Sequence, residues 1–236
     1  MAFPSRLHQI PVRSVTNAEA ERRRDEMVET QIARRGVADA AVLAAMRQVP
    51  REAFVSPSLR SSAYDDGPLP IGKGQTISQP YIVARMLEAA AMCPTDRVLE
   101  VGAGSGYASA LASRIAAHVY AMERHAELGA LACGRFSRLG YTNIDLRCGD
   151  GTLGWPANAP FDAILVSAGG PKVPDALLSQ LARGGRLVMP VGAHRSFQHL
   201  TRVTRRGDAQ FDTDALDAVC FVPLIGTQGW AAALDE

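Results

Sequence analysis

Charge of one sign is missing from this 236-residue chain: its 25 basic and 24 acidic side chains nearly cancel. A phosphate backbone is held by a positive field, so nucleic acid is not the expected partner. Cysteine is scarce and unpaired in pattern. Cys93, Cys133, Cys148 and Cys220 form no CxxC motif and no Cys/His cluster, which argues against a disulfide framework or structural zinc. Packing thiols in a reducing cytosol are the expectation. Long apolar runs are absent too. Residues 87–93 include Glu88 and fall far short of the roughly 20 residues that span a bilayer. Pro4 and Pro11 interrupt an N-terminus without a signal-peptide core, so neither membrane nor export is indicated and a cytoplasmic protein is expected. The histidines His8, His118, His125, His194 and His199 are scattered and assemble no Ser/His/Asp or metal set. There is no internal repeat and no low-complexity segment.

What is present suits one principal α/β domain. An apolar fraction of 47% fills a core, and such domains routinely reach about 200 to 250 residues. Residues 1–15 read as an extension. Thr16 and Glu19 have the spacing of a capping box, and Met27, Val28, Gln31 and Ile32 share a helix face until Gly36. The arginines of this helix are interleaved with acids and read as a solvated face. A second helix is expected from Asp39, with Val42, Leu43 and Met46 inward. Residues 64–80, YDDGPLPIGKGQTISQP, are too rich in Gly and Pro for an element interior and read as a long functional loop. A helix over about 79–92 follows, with Ser78 as N-cap and Ile82, Met86, Leu87 and Ala90 buried.

From residue 97 strands and helices alternate. Strands are expected over 97–101, 118–122, 144–147, 161–167 and 186–190, and helices over 107–116, 126–139 and 174–181. That alternation specifies a doubly wound, Rossmann-like parallel sheet. Runs at 198–205 and 216–224 have no helix between them and should form an edge hairpin with one antiparallel strand. The expected organisation is therefore 1–15 extension, 16–93 helices and active-site loop within the same domain, 94–225 core, and 226–236 tail.

The stretch Val98-Leu-Glu-Val-Gly-Ala-Gly-Ser-Gly-Tyr107 runs a buried strand through a glycine turn into a helix, which lets a ligand approach the backbone. Glycines at 102, 104 and 106, with Tyr107 at the sixth position, miss the dinucleotide spacing. A ligand-free turn is the plain alternative. Glu100 would repel a pyrophosphate but suits a cationic amino-acid moiety. Glu123, 21 residues after Gly102, can accept from ribose hydroxyls, and Asp150, beside Gly151, from an adenine amino group. Three acids at the carboxyl ends of consecutive strands fit a cationic nucleoside without phosphate, of which S-adenosylmethionine is an example.

Several blocks then become distinctive: MVETQIARRGV, VPREAFV, AYDDGPLPIGKGQTISQPYIVARM, VLEVGAGSGYASALA, GDGTLGWP, APFDAILVSA and GGRLVMPVG. From about Arg24 to Ile225 the chain closely resembles the bacterial protein-L-isoaspartate O-methyltransferases, and the QTISQP loop is the characteristic part. The resemblance implies a class I methyltransferase fold and methyl transfer from S-adenosyl-L-methionine to the free α-carboxylate of isoaspartyl residues in damaged proteins, in repair. It implies Ser78 as the active-site serine, with Thr76 and Ile77 shaping the pocket. Cofactor contacts are implied for Gly102, Gly104, Glu123, Asp150 and Gly151, and the expected cofactor set also includes Thr76, Ile77, Ser78, Glu100 and Gly106. Ala103 stands where the family has Thr or Ser, and the 168–171 loop is glycine-richer than usual.

An α-carboxylate is ionised at neutral pH, with a pKa of about 3.3 to 3.7. No strong base is then required, and alignment and partial desolvation are the enzyme's task. The substrates expected are isoaspartyl proteins and peptides, met in a shallow, backbone-reading groove by a monomer. The competing readings are a methyltransferase for another acceptor, a non-catalytic S-adenosylmethionine-binding protein and, third, a nicotinamide dehydrogenase.

Overall fold

The computed structural model describes residues 17–232. The expected extension and the Thr16 cap lie outside them. Helix α1 (Asn17–Met27) continues into a π-helical turn (Val28–Ile32) and a 3-10 turn (Ala33–Arg35), and Gly36 at φ 98° ends it. Met27, Val28 and Ile32 are buried, as their spacing requires. The basic face is only partly a solvated one. Arg22 does pair with Glu19 and Glu26 on the surface, but Arg23 and Arg35 reach Asp65 and Asp66 in the following loop.

Asp39 caps α2 (Ala40–Gln48), accepting from the N–H groups of Ala41 and Val42. Val42, Ala45 and Met46 face inward, whereas Leu43 is only half-buried. The 64–80 segment is not all loop. It contains an antiparallel hairpin, β1 (Leu69–Gly72) and β2 (Gln75–Ile77). Its Gly72, Lys73 and Gly74 all have positive φ, the tight reversal for which that glycine content was needed.

Helix α3 (Pro80–Ala90) starts later than expected. Gln79 is the cap residue and no side chain caps it, so Ser78 is not the N-cap. Pro80 at the first helical position has no N–H to satisfy and its φ is already helical, which removes the need for one. Met86, Leu87 and Ala90 are buried, but Ile82 is half-buried on a groove.

The main sheet contains β3 (Arg97–Val101), β4 (His118–Glu123), β5 (Ile144–Cys148), β6 (Phe161–Val166), β7 (Leu181–His194), β8 (Phe197–Arg205) and β9 (Phe211–Val219), in the order β5-β4-β3-β6-β7-β8-β9. The first five are parallel, and β8 runs antiparallel to both β7 and β9. This is the doubly wound class with an edge hairpin. The last strand begins at Phe211 and ends at Val219, earlier than the 216–224 run, because residues 220–224 leave the sheet and hydrogen-bond Gly169. Strand β7 starts at Leu181, before the glycines taken to precede it; Gly184, at φ 77°, lies within it near a register shift.

Alternation decides which face each strand residue covers. Val98, Ala163, Leu165 and Val188 share one core with Met27, Met46, Phe54 and Leu87 from the N-terminal helices. Leu99, Val101, Ile164, Val166, Leu187 and Met189 face the other core, with Leu177 of α6 (Asp175–Ser179). Helices α4 (Tyr107–Ala112) and α5 (Ala126–Leu139) link β3 to β4 and β4 to β5. All four cysteines are exposed free thiols, not packing thiols. Cys133 shows why: the buried stripe of α5 is Leu128, Gly129, Ala132 and Phe136, which turns position 133 outward. Among the described residues no helix is long and apolar enough to cross a membrane.

Candidate active site

The chain reverses its direction of winding at β3, whose neighbours are β4 and β6. At such a switch point the loops after adjacent strands separate and leave a crevice at their carboxyl ends. Here the turn after β3 meets the end of β6, where the N–H of Ser167 donates to Val101 O at 2.8 Å. Two clefts, enclosing about 500 and about 530 Å³ of space partly open to solvent, border Gly102 and Gly104. Thr76, Gly102, Gly104 and Ser167 line both, and a third, larger groove shares Thr76, Ser78 and Ser167.

Glu100 borders the first cavity. Its side chain is 1% exposed and accepts from the hydroxyls of Ser109 and Ser167. Burial pushes its pKa up to about 7, against the lowering effect of those two hydroxyls and with a further push from Glu123. Glu123 borders the second cavity at the end of β4. Its oxygens accept the N–H groups of Gly104 at 2.7 Å and His125 at 2.8 Å. An ionised carboxylate has about four acceptor positions, so each oxygen keeps one.

Asp150 is differently placed. Its Oδ1 accepts from Thr152 N at 2.9 Å and Thr152 Oγ1 at 2.6 Å, and its Oδ2 from Thr227 N at 2.7 Å. Burial raises its pKa, but these bonds outweigh it and the net shift is downward. It lines neither cavity, whereas its neighbour Gly151 lines the second. Gly106 also lies away from both. Its N–H is bonded to Ala103 O, and a Cβ added there would lie 2.7 Å from the Phe136 ring. Gly106 is packed against Phe136 and borders neither cavity. Ala103 and Ile77 line the first cavity, and Ser78 lines the first cavity and the groove.

The loop bearing Ser78 is fastened from several sides. Gln79 Nε2 donates to Asp66 Oδ1 at 2.8 Å, Arg35 pairs with Asp66 at 3.0 Å, and its guanidinium lies 3.6 Å from the Tyr81 ring centroid. Residues missed in the sequence lie here. Ser167 borders all three spaces; the signal available was its position just past a central strand. Val222 to Ile225 wall the second cavity; residues 222–224 were read as the end of a strand, and no motif marks them as site residues. Among the described residues no group of three or more His, Cys, Asp or Glu is placed to hold a metal.

Residues 22–229 match the family model described as Protein-L-isoaspartate(D-aspartate) O-methyltransferase (PCMT). The chain belongs to this family. The match continues past Ile225, where the recognisable motifs stop. A relative from Pelobacter propionicus, named protein-L-isoaspartate O-methyltransferase 2, is 54% identical over 223 residues, covering 94% of this chain and 99% of that one. Another from Methylorubrum extorquens, named protein-L-isoaspartate O-methyltransferase, is 57% identical over 221 residues, covering 94% and 96%. Among solved structures, one named protein-L-isoaspartate O-methyltransferase aligns with TM-score 0.79 at 29% identity, over 87% of this chain and 67% of that one. A putative family member from Plasmodium falciparum, solved with S-adenosyl-L-homocysteine, aligns with TM-score 0.74 at 27% identity, over 86% and 98%.

Proposed function

We infer that the chain is a protein-L-isoaspartate(D-aspartate) O-methyltransferase, transferring a methyl group from S-adenosyl-L-methionine to the free α-carboxylate of isoaspartyl residues in damaged proteins and peptides. Membership of the family carries the reaction. The observation that carries the site is the adjacency of two cavities and a groove at one switch point, with Thr76 and Ser167 lining all three and Ser78 lining the first cavity and the groove.

The residues present suit the methyl donor. Glu100, in the first cavity, is a buried carboxylate without a cationic partner among the described residues, the complement of an amino-acid ammonium. In the second, the free acceptor positions of Glu123 suit ribose hydroxyls, and Gly151 leaves room for a flat ring. Bound there, S-adenosyl-L-methionine supplies an electrophilic methyl on a cationic sulfur.

The chain's own residues then bind and orient. The groove is walled by Pro68, Ile82, Val219 and Phe221 and includes no ionisable side chain besides Cys220. A lining of this kind receives backbone and apolar side chains and gives little selection by charge. Ser78 stands where groove and first cavity meet, and its hydroxyl orients the acceptor carboxylate. That carboxylate is ionised on entry, so no residue has to remove a proton. Partial exclusion of water by the apolar walls strengthens its nucleophilicity.

The substrate assignment is tested with labelled donor and paired isoaspartyl and aspartyl peptides. Labelling of the isoaspartyl member alone is expected; equal labelling, or none, rejects it. Ser78→Ala should retain donor binding but lose about tenfold to a hundredfold in kcat, the scale of a lost orienting contact. Full turnover would remove Ser78 from that role. A monomer in the cytoplasm is the accompanying expectation; four exposed thiols without disulfides suit a reducing compartment.

A further inference from the structure

A fully buried guanidinium lies behind the Ser78 loop. Arg51, in the 3-10 turn Arg51–Phe54, is 0% exposed. Its Nε donates to Ala63 O at 2.7 Å and its Nη2 to Ser78 O at 2.8 Å. The guanidinium carbon lies 4.9 Å from the ring centroid of Tyr107, a residue that lines the first cavity and opens α4 after the glycine turn. Nη1 has no hydrogen-bond partner among the described residues. Burial pulls the Arg51 pKa down, opposed by the phenols of Tyr107 and Tyr64.

A buried cation is costly and is a poor device for stability alone. An apolar residue of similar volume would fill the same space without an unmatched donor. What only a planar fork can do is hold two carbonyls in fixed directions while stacking on an aromatic ring. The three groups joined here belong to three parts of the site: Ala63 begins the segment leading to the hairpin, Ser78 follows the hairpin directly, and Tyr107 lines the donor cavity.

We propose that Arg51 is a positioning residue for methyl transfer, fixing the Ser78 backbone against the Tyr107 side of the donor cavity so that the serine hydroxyl meets the acceptor carboxylate at the right place. This rests on the reading of Ser78 as the orienting hydroxyl. Lysine cannot hold both carbonyls and stack, so Arg51→Lys keeps the charge and loses the geometry. Misplacement on the ångström scale costs up to about a hundredfold in rate.

The test compares the full-length wild type, Arg51→Lys, Ser78→Ala and the double variant. Donor Kd is measured by calorimetry and kcat with an isoaspartyl peptide. Arg51→Lys is expected to lose at least about tenfold in kcat, with donor Kd changed less than about threefold. The double variant should be no slower than Ser78→Ala alone, since residues acting through one contact are not additive. A second variant, Arg51→Ala, should regain turnover on adding methylguanidinium, and should not do so in the Ser78→Ala background. Losses that multiply in the double variant, wild-type kcat in Arg51→Lys, or a loss confined to donor Kd would overturn the proposal while leaving Ser78 in place. If Ser78→Ala itself is silent, the reading of the serine fails first and the role of Arg51 falls with it.

Discussion

Glu100 has two hydroxyls for partners and almost no water, at 1% exposure. An acid buried this way holds its proton to higher pH because the charged form loses its hydration. In the unfolded chain it titrates near 4.5 and in the folded, ligand-free protein near 7. The native state therefore binds the extra proton between those values, and this group's contribution to stability falls as pH rises through that window. Donor binding has the opposite slope, since an ammonium is attracted by the ionised form. Donor affinity is expected to be about tenfold weaker near pH 6 than near pH 8, where one unit below the pKa leaves about a tenth of the carboxyls ionised. In Glu100→Gln that acid limb should vanish; a limb unchanged in the variant, measured as Kd against pH, would assign it to another group. The position of Glu100 was legible because it precedes the glycine turn by two residues on a strand of recognisable pattern. Its near-neutral titration was not, since it comes from complete burial under elements distant in sequence, only partly offset by the hydroxyls of Ser109 and of Ser167, the latter 67 residues away.

Elements bounded by a strict period were the most readable. The 126–139 helix and the 97–101 strand have the limits their patterns predict, because stripe and cap agree there. The β1–β2 hairpin was hidden in a Gly- and Pro-rich run, where sequence shows a turn but not that its arms pair. Ser78 was misread as a cap because Ser before a helical run usually caps it, and Pro80 cancels that need. At the turn into α4 two glycines that look alike in sequence have different neighbours. A Cβ at Gly106 would meet the Phe136 ring at 2.7 Å with φ at 88°, whereas one at Gly104 would meet only the tip of Ile71 at 3.1 Å beside both cavities. Gly106→Ala should therefore cost about 1 to 3 kcal/mol of folding stability, seen as a lower denaturant midpoint. Gly104 also has positive φ, at 53°, so Gly104→Ala should cost about 1 kcal/mol of backbone strain and, in addition, weaken donor Kd. Equal losses of stability in both, with donor affinity untouched, would contradict the separation of packing from binding.

Across the whole molecule, the site is closed by segments that come from opposite ends of the chain. The N-terminal layer supplies Arg51 and the arginine clasps of the Ser78 loop. The other closure follows β9, where Val222 to Ile225 wall the second cavity and residues 226–230 fold back onto the loops after β5 and β6. Thr227 N donates to Asp150 at 2.7 Å, Gln228 N to Thr152 Oγ1 at 3.1 Å, Trp230 N to Leu224 O at 2.7 Å, and Trp230 Nε1 to Gly169 O at 3.0 Å. No periodicity marked this segment, because its order comes from these cross-links and from no element of its own. It also explains why the acids at the strand ends are unequal: Asp150 is engaged by the returning chain, while Glu123 keeps acceptor positions toward the cavity. A chain ending at Ile225 loses those four bonds at about 1 kcal/mol each, so roughly 4 kcal/mol in all. For a domain of this size that lowers Tm by about 8 to 16 °C. Donor Kd should weaken by about tenfold as the Val222 to Ile225 wall loosens, since a site that must first be ordered binds less tightly by that cost. Trp230→Ala separates the two effects, because it keeps Thr227 on Asp150 and removes the indole with its bond to Gly169 and its contact with Arg195. If its donor Kd matches wild type while the truncated chain's does not, the wall is held through the main-chain bonds to Asp150, Thr152 and Leu224; if both match wild type, the C-terminal segment closes the fold without shaping the donor site.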